Sequence, residues 1–357
     1  MKMVYLSPVP WSSITQRPHF FVDAALRNDV ESVLWIDPYP TRFPNIGDFH
    51  PGRHAPEPVG MGLPKGLNIL KPDFILPCEP LPIVFKLLNS GAINKIFQNV
   101  GDFIDSDTLL VVGKPSLLAL KLIDSFKWKK KWFDAMDDFP QFYVGLSKFN
   151  MIKTENKIIC SVDEIICSSH ALLEKFSLPD KTKLILNACS DTIERSSDSN
   201  TDNKFVFGYI GTIAQWFDWT WVVELSKLNP DSLIRIIGPI KTSVPTNLPK
   251  NIKLEMAIEH SKVMSTIATF DVAIIPFMLN EITKCVDPVK FYEYLLARKD
   301  IVSTAFGEMN YHHHSYVKND VTINYKLPSG SLFFPFSSMS PAPSVPRWND
   351  RFQTLFI

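Results

Sequence analysis

Three aspartates stand close together in the segment FDAMDDFPQF and could do proton-transfer chemistry. Asp134, Asp137 and Asp138 lie at the carboxyl end of a predicted β-strand. Neighbouring carboxylates repel each other, which raises the pKa of one of them and can leave a group suited to deprotonating a hydroxyl. The other interpretation is that Asp137 or Asp138 caps the helix that follows, which is the commoner role for such a residue. The segment therefore predicts either a general base or a helix cap.

The segment DVAIIPFMLNEITKCVDPVKFYEYLLARKDIVST contains a lysine and a glutamate that could bind a phosphate ester. After a buried strand, Asp287 and Pro288 begin a predicted helix, with proline in its favoured first-turn position. Lys290 and Glu293 then share one face of that helix. A lysine at a helix N-terminus opposes the helix dipole unless an anion is bound, so phosphate is one explanation. A surface salt bridge between Lys290 and Glu293 is the other.

Glycines follow another predicted strand, FVFGYIG. Gly211 and Thr212 come just before Asp218, which is expected to cap the next helix. Glycine lets a ligand approach the backbone, and a helix N-terminus offers free N–H groups to phosphate. A tight turn without a ligand is the more frequent explanation of so short a motif. The GxGxxG fingerprint is absent, which disfavours a nicotinamide or flavin enzyme.

The loop after the first predicted strand carries three more candidates, Gln16, Arg17 and His19. Arg17 could pair with a phosphate or with an acidic acceptor. His19 could bond an acceptor hydroxyl, or it could cap and pack.

Strand and helix patterns alternate along the chain and must position these residues. The polar segment SSDSNTDNK, Ser196–Lys204, separates two such series. We therefore predict two Rossmann-like α/β domains, residues 1–190 and 191–357, with the last helix returning to the first domain. Two parallel sheets side by side would face each other across a deep cleft at the carboxyl ends of their strands.

The composition excludes several classes of protein. The 357 residues include 37 Lys and Arg and 37 Asp and Glu, so no net charge favours nucleic acid. Five scattered cysteines indicate a reducing compartment, and no signal or membrane-spanning segment is predicted, which indicates the cytoplasm. His312–His314 is expected in a polar loop rather than a metal site. The cluster KWKKKW, Lys127–Trp132, is either the lead-in to a strand or a membrane-interface patch.

These segments together resemble the GT-B glycosyltransferases that build bacterial cell-surface polysaccharides. PVKFYEYLLARKDIVST is similar to that family's PxKxYEYLAxGxPVVST motif, and FDVAIIPF is similar to the strand before it. FGYIGTI resembles the strand and glycine turn that open the donor domain, and LILNACSD resembles the NGVD-type stretch near the linker. QRPHFF and FDAMDDFPQF resemble a subgroup similar to the xanthan glucuronosyltransferase.

The resemblance implies a metal-independent enzyme that needs no cofactor. It would transfer a hexose-type sugar from a nucleoside diphosphate donor, expected to be a UDP-sugar, to a saccharide or lipid-linked acceptor in O-antigen, capsule or exopolysaccharide synthesis. Peripheral contact with the cytoplasmic face of the inner membrane is also expected. A UDP-sugar 2-epimerase and a non-catalytic scaffold subunit are the alternatives.

The resemblance also implies roles for individual residues. Asp138, or less favoured Asp137, would be the general base, and His19 would assist. Lys290 would contact the diphosphate and Glu293 the ribose. The rest of the donor site would be formed by Gly211, Thr212, Gly238, Asp287, Pro288 and Tyr292, and the acceptor or phosphate site by Gln16 and Arg17.

Two positions depart from the family's pattern. Cys285 stands where retaining relatives carry a second glutamate, and the glycine expected after the EYL motif is replaced in Ala297–Asp300. Inversion and retention of the sugar configuration therefore both stay open.

Overall fold

The computed structural model describes residues 1–44, 63–190, 204–318, 321–339 and 344–356. The chain forms two compact units, Met1–Leu186 with Trp348–Ile357, and Asn187–Arg347. The sequence predicted that the first domain ends at residue 190, whereas the structure places the change from the first to the second unit between Leu186 and Asn187. Cys189 belongs to the second unit, where its backbone N–H donates to the carbonyl of Pro346 at 3.0 Å. Most of the predicted linker Ser196–Lys204 lies outside the described residues.

The first unit is built on a parallel sheet of seven strands. Its spatial order is β3-β2-β1-β4-β5-β6-β7. The strands are β1 (Lys2–Leu6), β2 (Ser32–Ile36), β3 (Leu67–Leu70), β4 (Thr108–Val112), β5 (Lys130–Ala135), β6 (Glu164–Cys167) and β7 (Thr182–Leu184). Strand β4 reads TLLVV and is buried along its whole length, as expected of a parallel strand covered on both faces.

Six helices connect these strands. They are α1 (Arg17–Arg27), α2 (Pro82–Leu88), α3 (Ser90–Phe103), α4 (Leu117–Ser125), α5 (Gly145–Ser161) and α6 (His170–Phe176). Parallel neighbours need such crossovers, which leave the carboxyl ends of all strands at one edge of the sheet.

The second unit has a six-stranded sheet in the order β10-β9-β8-β11-β12-β13. The strands are β8 (Val206–Ile210), β9 (Leu233–Ile237), β10 (Ile252–Glu255), β11 (Val272–Ile275), β12 (Asp300–Thr304) and β13 (Ser331–Phe334). Only the β12–β13 pairing is antiparallel among the described strands. The helices are α7 (Trp219–Leu228), α8 (Val263–Ala268), α9 (Val289–Leu296) and α10 (Gly307–Tyr316).

The last helix, α11 (Trp348–Phe352), packs on α1 in the first unit. Trp348 stacks on Phe20 with ring centroids 5.1 Å apart, and Phe352 lies 4.9 Å from Phe21. Aromatic burial thus attaches the end of the chain to the first sheet.

Two lysines of the KWKKKW cluster form ion pairs with neighbouring strands and loops. The KWKKKW cluster leads into β5, where Lys129 pairs with Asp107 and Lys130 with Glu164. Of the helices in the described ranges, none is long and apolar enough to cross a membrane.

Candidate active site

A buried ion pair organises the carboxyl end of β5 in the first unit. Arg17 Nε lies 2.9 Å from Asp134 Oδ1, and both side chains are almost fully buried. Tyr5 donates its hydroxyl to the other carboxylate oxygen at 2.9 Å. Since Arg17 Nη1 also donates to the carbonyl of Ile185 at 2.7 Å, this guanidinium is engaged inside the unit. The predicted role of Arg17 in binding phosphate or acceptor does not fit these contacts.

His19 is occupied in the same way. Its Nδ1 accepts the backbone N–H of Gln16 at 3.2 Å, and its Nε2 lies 3.1 Å from the carbonyl of Trp11. The ring is fully buried against Trp11 and Trp35, and burial lowers the pKa of His19. With both nitrogens engaged, His19 shapes the start of α1 and does not fit the predicted catalytic role. Gln16 stays partly exposed at this turn.

Asp138 is held in an ion pair. Its Oδ1 lies 2.8 Å from Lys175 Nζ, which also contacts Glu155 at 2.6 Å. The Asp138 side chain makes no helix-cap hydrogen bond, although its carbonyl begins a 3₁₀ turn, Phe139–Phe142. Burial lowers the pKa of Lys175, but the two carboxylates outweigh burial and raise it overall. Lys175 and the Gln141 side chain engage both carboxylate oxygens, which disfavours Asp138 as the proton acceptor.

Asp137 has the opposite environment. Its side chain is half-buried and forms no hydrogen bond or ion pair with the residues that the structure describes. Burial raises the pKa of Asp137 to about 7, with Arg17 opposing the shift and Asp134 and Asp138 adding to it. A carboxyl that titrates near neutral pH is suited to accept a proton. The structure therefore favours Asp137 over Asp138, the reverse of the sequence preference.

In the second unit, Lys290 lies against the glycine turn that follows β8. Gly211 has a φ of +149°, and a Cβ at that position would be 2.1 Å from Lys290 Cε and 2.4 Å from Lys290 Nζ. Only glycine leaves room for the lysine here. The fold thus brings Lys290 and Gly211 together, although they are far apart in sequence.

Lys290 forms no ion pair with the residues that the structure describes. Its Nζ lies 5.7 Å from the ring centre of Tyr209 and makes no hydrogen bond there. Burial lowers the pKa of Lys290, and the nearby Glu293 carboxylate opposes this shift. No ion pair joins Lys290 and Glu293 within 4.0 Å, so the surface salt bridge that the spacing allowed is not formed. A partly buried cation that has no ion-pair partner is stabilised when an anion binds it.

Two further candidates shape the same turn. Gly238, at the end of β9, has a φ of +142°, and a Cβ there would meet the carbonyl of Gly211 at 2.1 Å. Gly238 therefore supports the turn through close backbone packing. Thr212 is partly exposed, and its carbonyl accepts the hydroxyl of Tyr209 at 2.9 Å.

Asp287 and Tyr292, both predicted in the donor site, are engaged internally. Asp287 Oδ2 accepts the N–H of Asn187 at 2.7 Å and the hydroxyl of Tyr292 at 2.8 Å, and Oδ1 lies 3.0 Å from His312 Nε2. These side chains are buried, so they build the loop before α9 rather than face a ligand. Pro288 is the N-cap residue of α9 and is also buried.

The triple histidine is helical, so the expectation of a polar loop is wrong. His312, His313 and His314 belong to α10, and His312 points into the core. Within the described ranges, no group of three His, Cys, Asp or Glu side chains could hold a metal ion.

Sequence analysis missed Lys175, Asn187 and the engagement of His312. Lys175 and Asn187 meet their carboxylates through contacts 37 and 100 residues apart in sequence. No local pattern marks such pairings.

Comparisons with known proteins agree with this architecture. No protein-family model matches the chain. Among curated proteins, TuaH of Bacillus subtilis (strain 168), provisionally assigned as a teichuronic acid biosynthesis glycosyltransferase, is 24% identical over 203 residues. The match covers 50% of this chain and about half, 51%, of that protein.

Solved structures match over most of the chain at low identity. Sucrose-phosphate synthase from Thermosynechococcus elongatus superposes with a TM-score of 0.58 at 12% identity, covering 87% of this chain and 83% of that one. The lipopolysaccharide outer core galactosyltransferase WaaB gives 0.53 at 8% identity, with coverages of 86% and 81%. An E. coli structure titled trehalose-6-phosphate and bound with UDP-2-fluoro glucose gives 0.52 at 10% identity, with coverages of 88% and 87%.

The chain has the GT-B fold. This confirms the predicted fold class of two Rossmann-like α/β domains with parallel sheets. The antiparallel edge strand β13 of the second sheet was not predicted. The GT-B fold places Gly211 and Lys290 at the carboxyl end of its second sheet, and Asp137 at the carboxyl end of its first. The likeness to the xanthan subgroup stays a prediction.

Proposed function

We propose that this chain is a GT-B glycosyltransferase that transfers a sugar from a nucleoside diphosphate donor to a saccharide hydroxyl. The observation that carries this proposal is the Lys290 side chain, which packs against Gly211 and forms no ion pair with the described residues. A diphosphate would supply the missing negative charge.

The surroundings of Lys290 suit a departing diphosphate. Lys290 lies in the first turn of α9, where backbone N–H groups and the helix dipole favour an anion. Gly211 allows the phosphate oxygens to approach the backbone of the turn. Charge on the leaving group grows in the transition state, so a preplaced cation lowers the barrier as well as binding the donor.

Glu293 is the residue we assign to the ribose. It lies one turn after Lys290 on the same helix, is partly exposed, and forms no ion pair with it. A carboxylate accepts hydrogen bonds from neighbouring hydroxyls, as a ribose presents. We assign the donor as a UDP-sugar, which is supported by the UDP-2-fluoro glucose named for one structure of this fold.

Asp137 is the residue we assign as general base. It would take the proton of the acceptor hydroxyl as that oxygen attacks the sugar, while the bond to the diphosphate breaks. The proton then rests on the carboxyl, whose pKa of about 7 allows its release to solvent.

The acceptor is proposed to be a saccharide or a lipid-linked saccharide in bacterial surface polysaccharide synthesis in the cytoplasm. The similarity to a protein assigned to teichuronic acid biosynthesis supports this choice. A lipid-linked acceptor would bring the enzyme to the inner membrane surface.

Thermal unfolding with UDP, GDP, ADP, dTDP, CMP and NAD tests the donor site. A ligand present at about 100 times its Kd adds about 2.7 kcal/mol of stability. We expect UDP to stabilise the wild type and not Lys290→Met, while Lys227→Ala, an exposed lysine of α7, keeps the response. Because Lys290→Met removes an uncompensated charge, the variant should be at least as stable without ligand. An equal UDP response in wild type and Lys290→Met would remove Lys290 from the site.

A further inference from the structure

His312 is joined to the start of α9 by a chain of buried contacts. Its Nε2 lies 3.0 Å from Asp287 Oδ1. An ionised carboxylate only accepts hydrogen bonds, so Nε2 carries the proton of this bond. The imidazole also stacks on Phe291, with centroids 4.4 Å apart and planes inclined by 10°. His312 therefore contacts residues on both sides of Lys290 in sequence.

Asp287 connects several parts of the second unit. Its Oδ2 accepts from the Asn187 N–H and the Tyr292 hydroxyl, and its carbonyl accepts from Asn187 Nδ2 at 2.5 Å. These bonds hold the residue that immediately precedes the N-cap of α9. Three hydrogen-bond donors fix the position of the buried Asp287 carboxylate. They thereby also fix the direction in which α9 begins.

We propose that His312 is a positioning residue for the donor diphosphate. Its Nε2–H holds the Asp287 carboxylate, and Asp287 holds the turn from which Lys290 reaches Gly211. Lys290 Cε fills the space beside Gly211, only 2.1 Å from the point that a Cβ there would occupy. A shift of the helix start would therefore move the ammonium away from the turn, and His312 acts without touching the ligand.

The three histidines of α10 provide a matched comparison. His312 is buried and bonded, whereas His314, two residues on, is exposed and its side chain makes no hydrogen bond with the described residues. A substitution at His314 changes the same helix without reaching Asp287.

The test compares His312→Ala, His312→Gln, His312→Asn and His314→Ala. Glutamine can place an amide N–H near the position of the imidazole Nε2, whereas asparagine is too short. Calorimetry with UDP should show a Kd about tenfold higher for His312→Ala and His312→Asn, as for one lost hydrogen bond to a charged group. His312→Gln should stay within about threefold of wild type, and His314→Ala should equal it.

Hydrogen exchange of a peptide covering residues 286–296 provides a readout that needs no ligand. We expect exchange about tenfold faster in His312→Ala and near wild-type exchange in His312→Gln. Unchanged exchange in His312→Ala, or equal effects of alanine and glutamine, would overturn the proposal. The calorimetric test with UDP rests on the proposed function. If the wild type bound no nucleotide, the proposed function would be refuted. The hydrogen-exchange result would still decide whether His312 positions the start of α9.

Discussion

Replacing Asp137 with asparagine should stabilise the folded protein above neutral pH and remove the proposed general base. Burial raises the pKa of Asp137 from 3.8 to about 7. Because the folded-state pKa lies above that of the unfolded chain, the folded state binds the extra proton between about pH 4 and pH 7. The contribution of Asp137 to the free energy of unfolding therefore falls as the pH rises through this range, and it is constant above it. Asparagine has no such dependence.

The magnitude follows from the same pKa values. The change from 3.8 to about 7 corresponds to about 4 kcal/mol, at 1.36 kcal/mol for each tenfold change in proton affinity. Solvent that reaches the half-buried carboxyl reduces this cost. We therefore expect Asp137→Asn to raise the free energy of unfolding by about 1–3 kcal/mol at pH 8, with little change near pH 4.

Urea titrations followed by tryptophan fluorescence at several pH values measure this difference. Asp180→Asn, an exposed position in the first unit, is the control and should show no gain. In parallel, kcat of Asp137→Asn should fall by about 10²–10⁴, the usual contribution of a general base. A stability difference between Asp137→Asn and wild type that is the same at pH 5 and pH 8 would refute the reasoning about burial.

Two other substitutions separate structural from functional roles. Asp138→Asn should weaken the pairing with Lys175 and cost about 1–2 kcal/mol in urea unfolding. It should lower kcat by less than about tenfold, whereas a loss as large as that expected of a general base would return that role to Asp138. Gly211→Ala would collide with Lys290 and should weaken UDP binding at least about tenfold by calorimetry. Gly330 also has a positive φ, +74°, but a Cβ at this residue would meet no atom within 4 Å. The control variant Gly330→Ala should therefore bind UDP normally. Equal affinities of the two glycine variants would contradict the proposed geometry of the turn.

The sequence predicted the architecture because strand and helix periodicity reports directly which faces are buried. Runs such as TLLVV and DVAII follow the pattern of covered parallel strands, and the structure contains them as β4 and β11. Asp218 was predicted as a cap and does accept the N–H of Trp221 at 3.0 Å. Local rules were sufficient for these features.

The side-chain assignments were harder because they depend on contacts far apart in the chain. The acidic pair near β5 looks symmetric in sequence, but in the structure Lys175 and the Gln141 side chain contact Asp138. His19 has a residue type typical of catalysis, but its nitrogens are taken by Gln16 and Trp11. Charge type and spacing therefore point to candidate segments, while pairing and burial decide which side chains in them are engaged inside the fold.

Product analysis with UDP-hexoses and saccharide acceptors tests the central claim most directly. Mass spectrometry should show an acceptor gaining one hexosyl unit for each UDP released, and both Asp137→Asn and Lys290→Met should lose this transfer. Conversion of the UDP-sugar at the same rate without any acceptor would contradict transfer and favour a 2-epimerase. Absence of turnover together with no binding of any nucleotide would contradict it as well, in favour of a non-catalytic subunit.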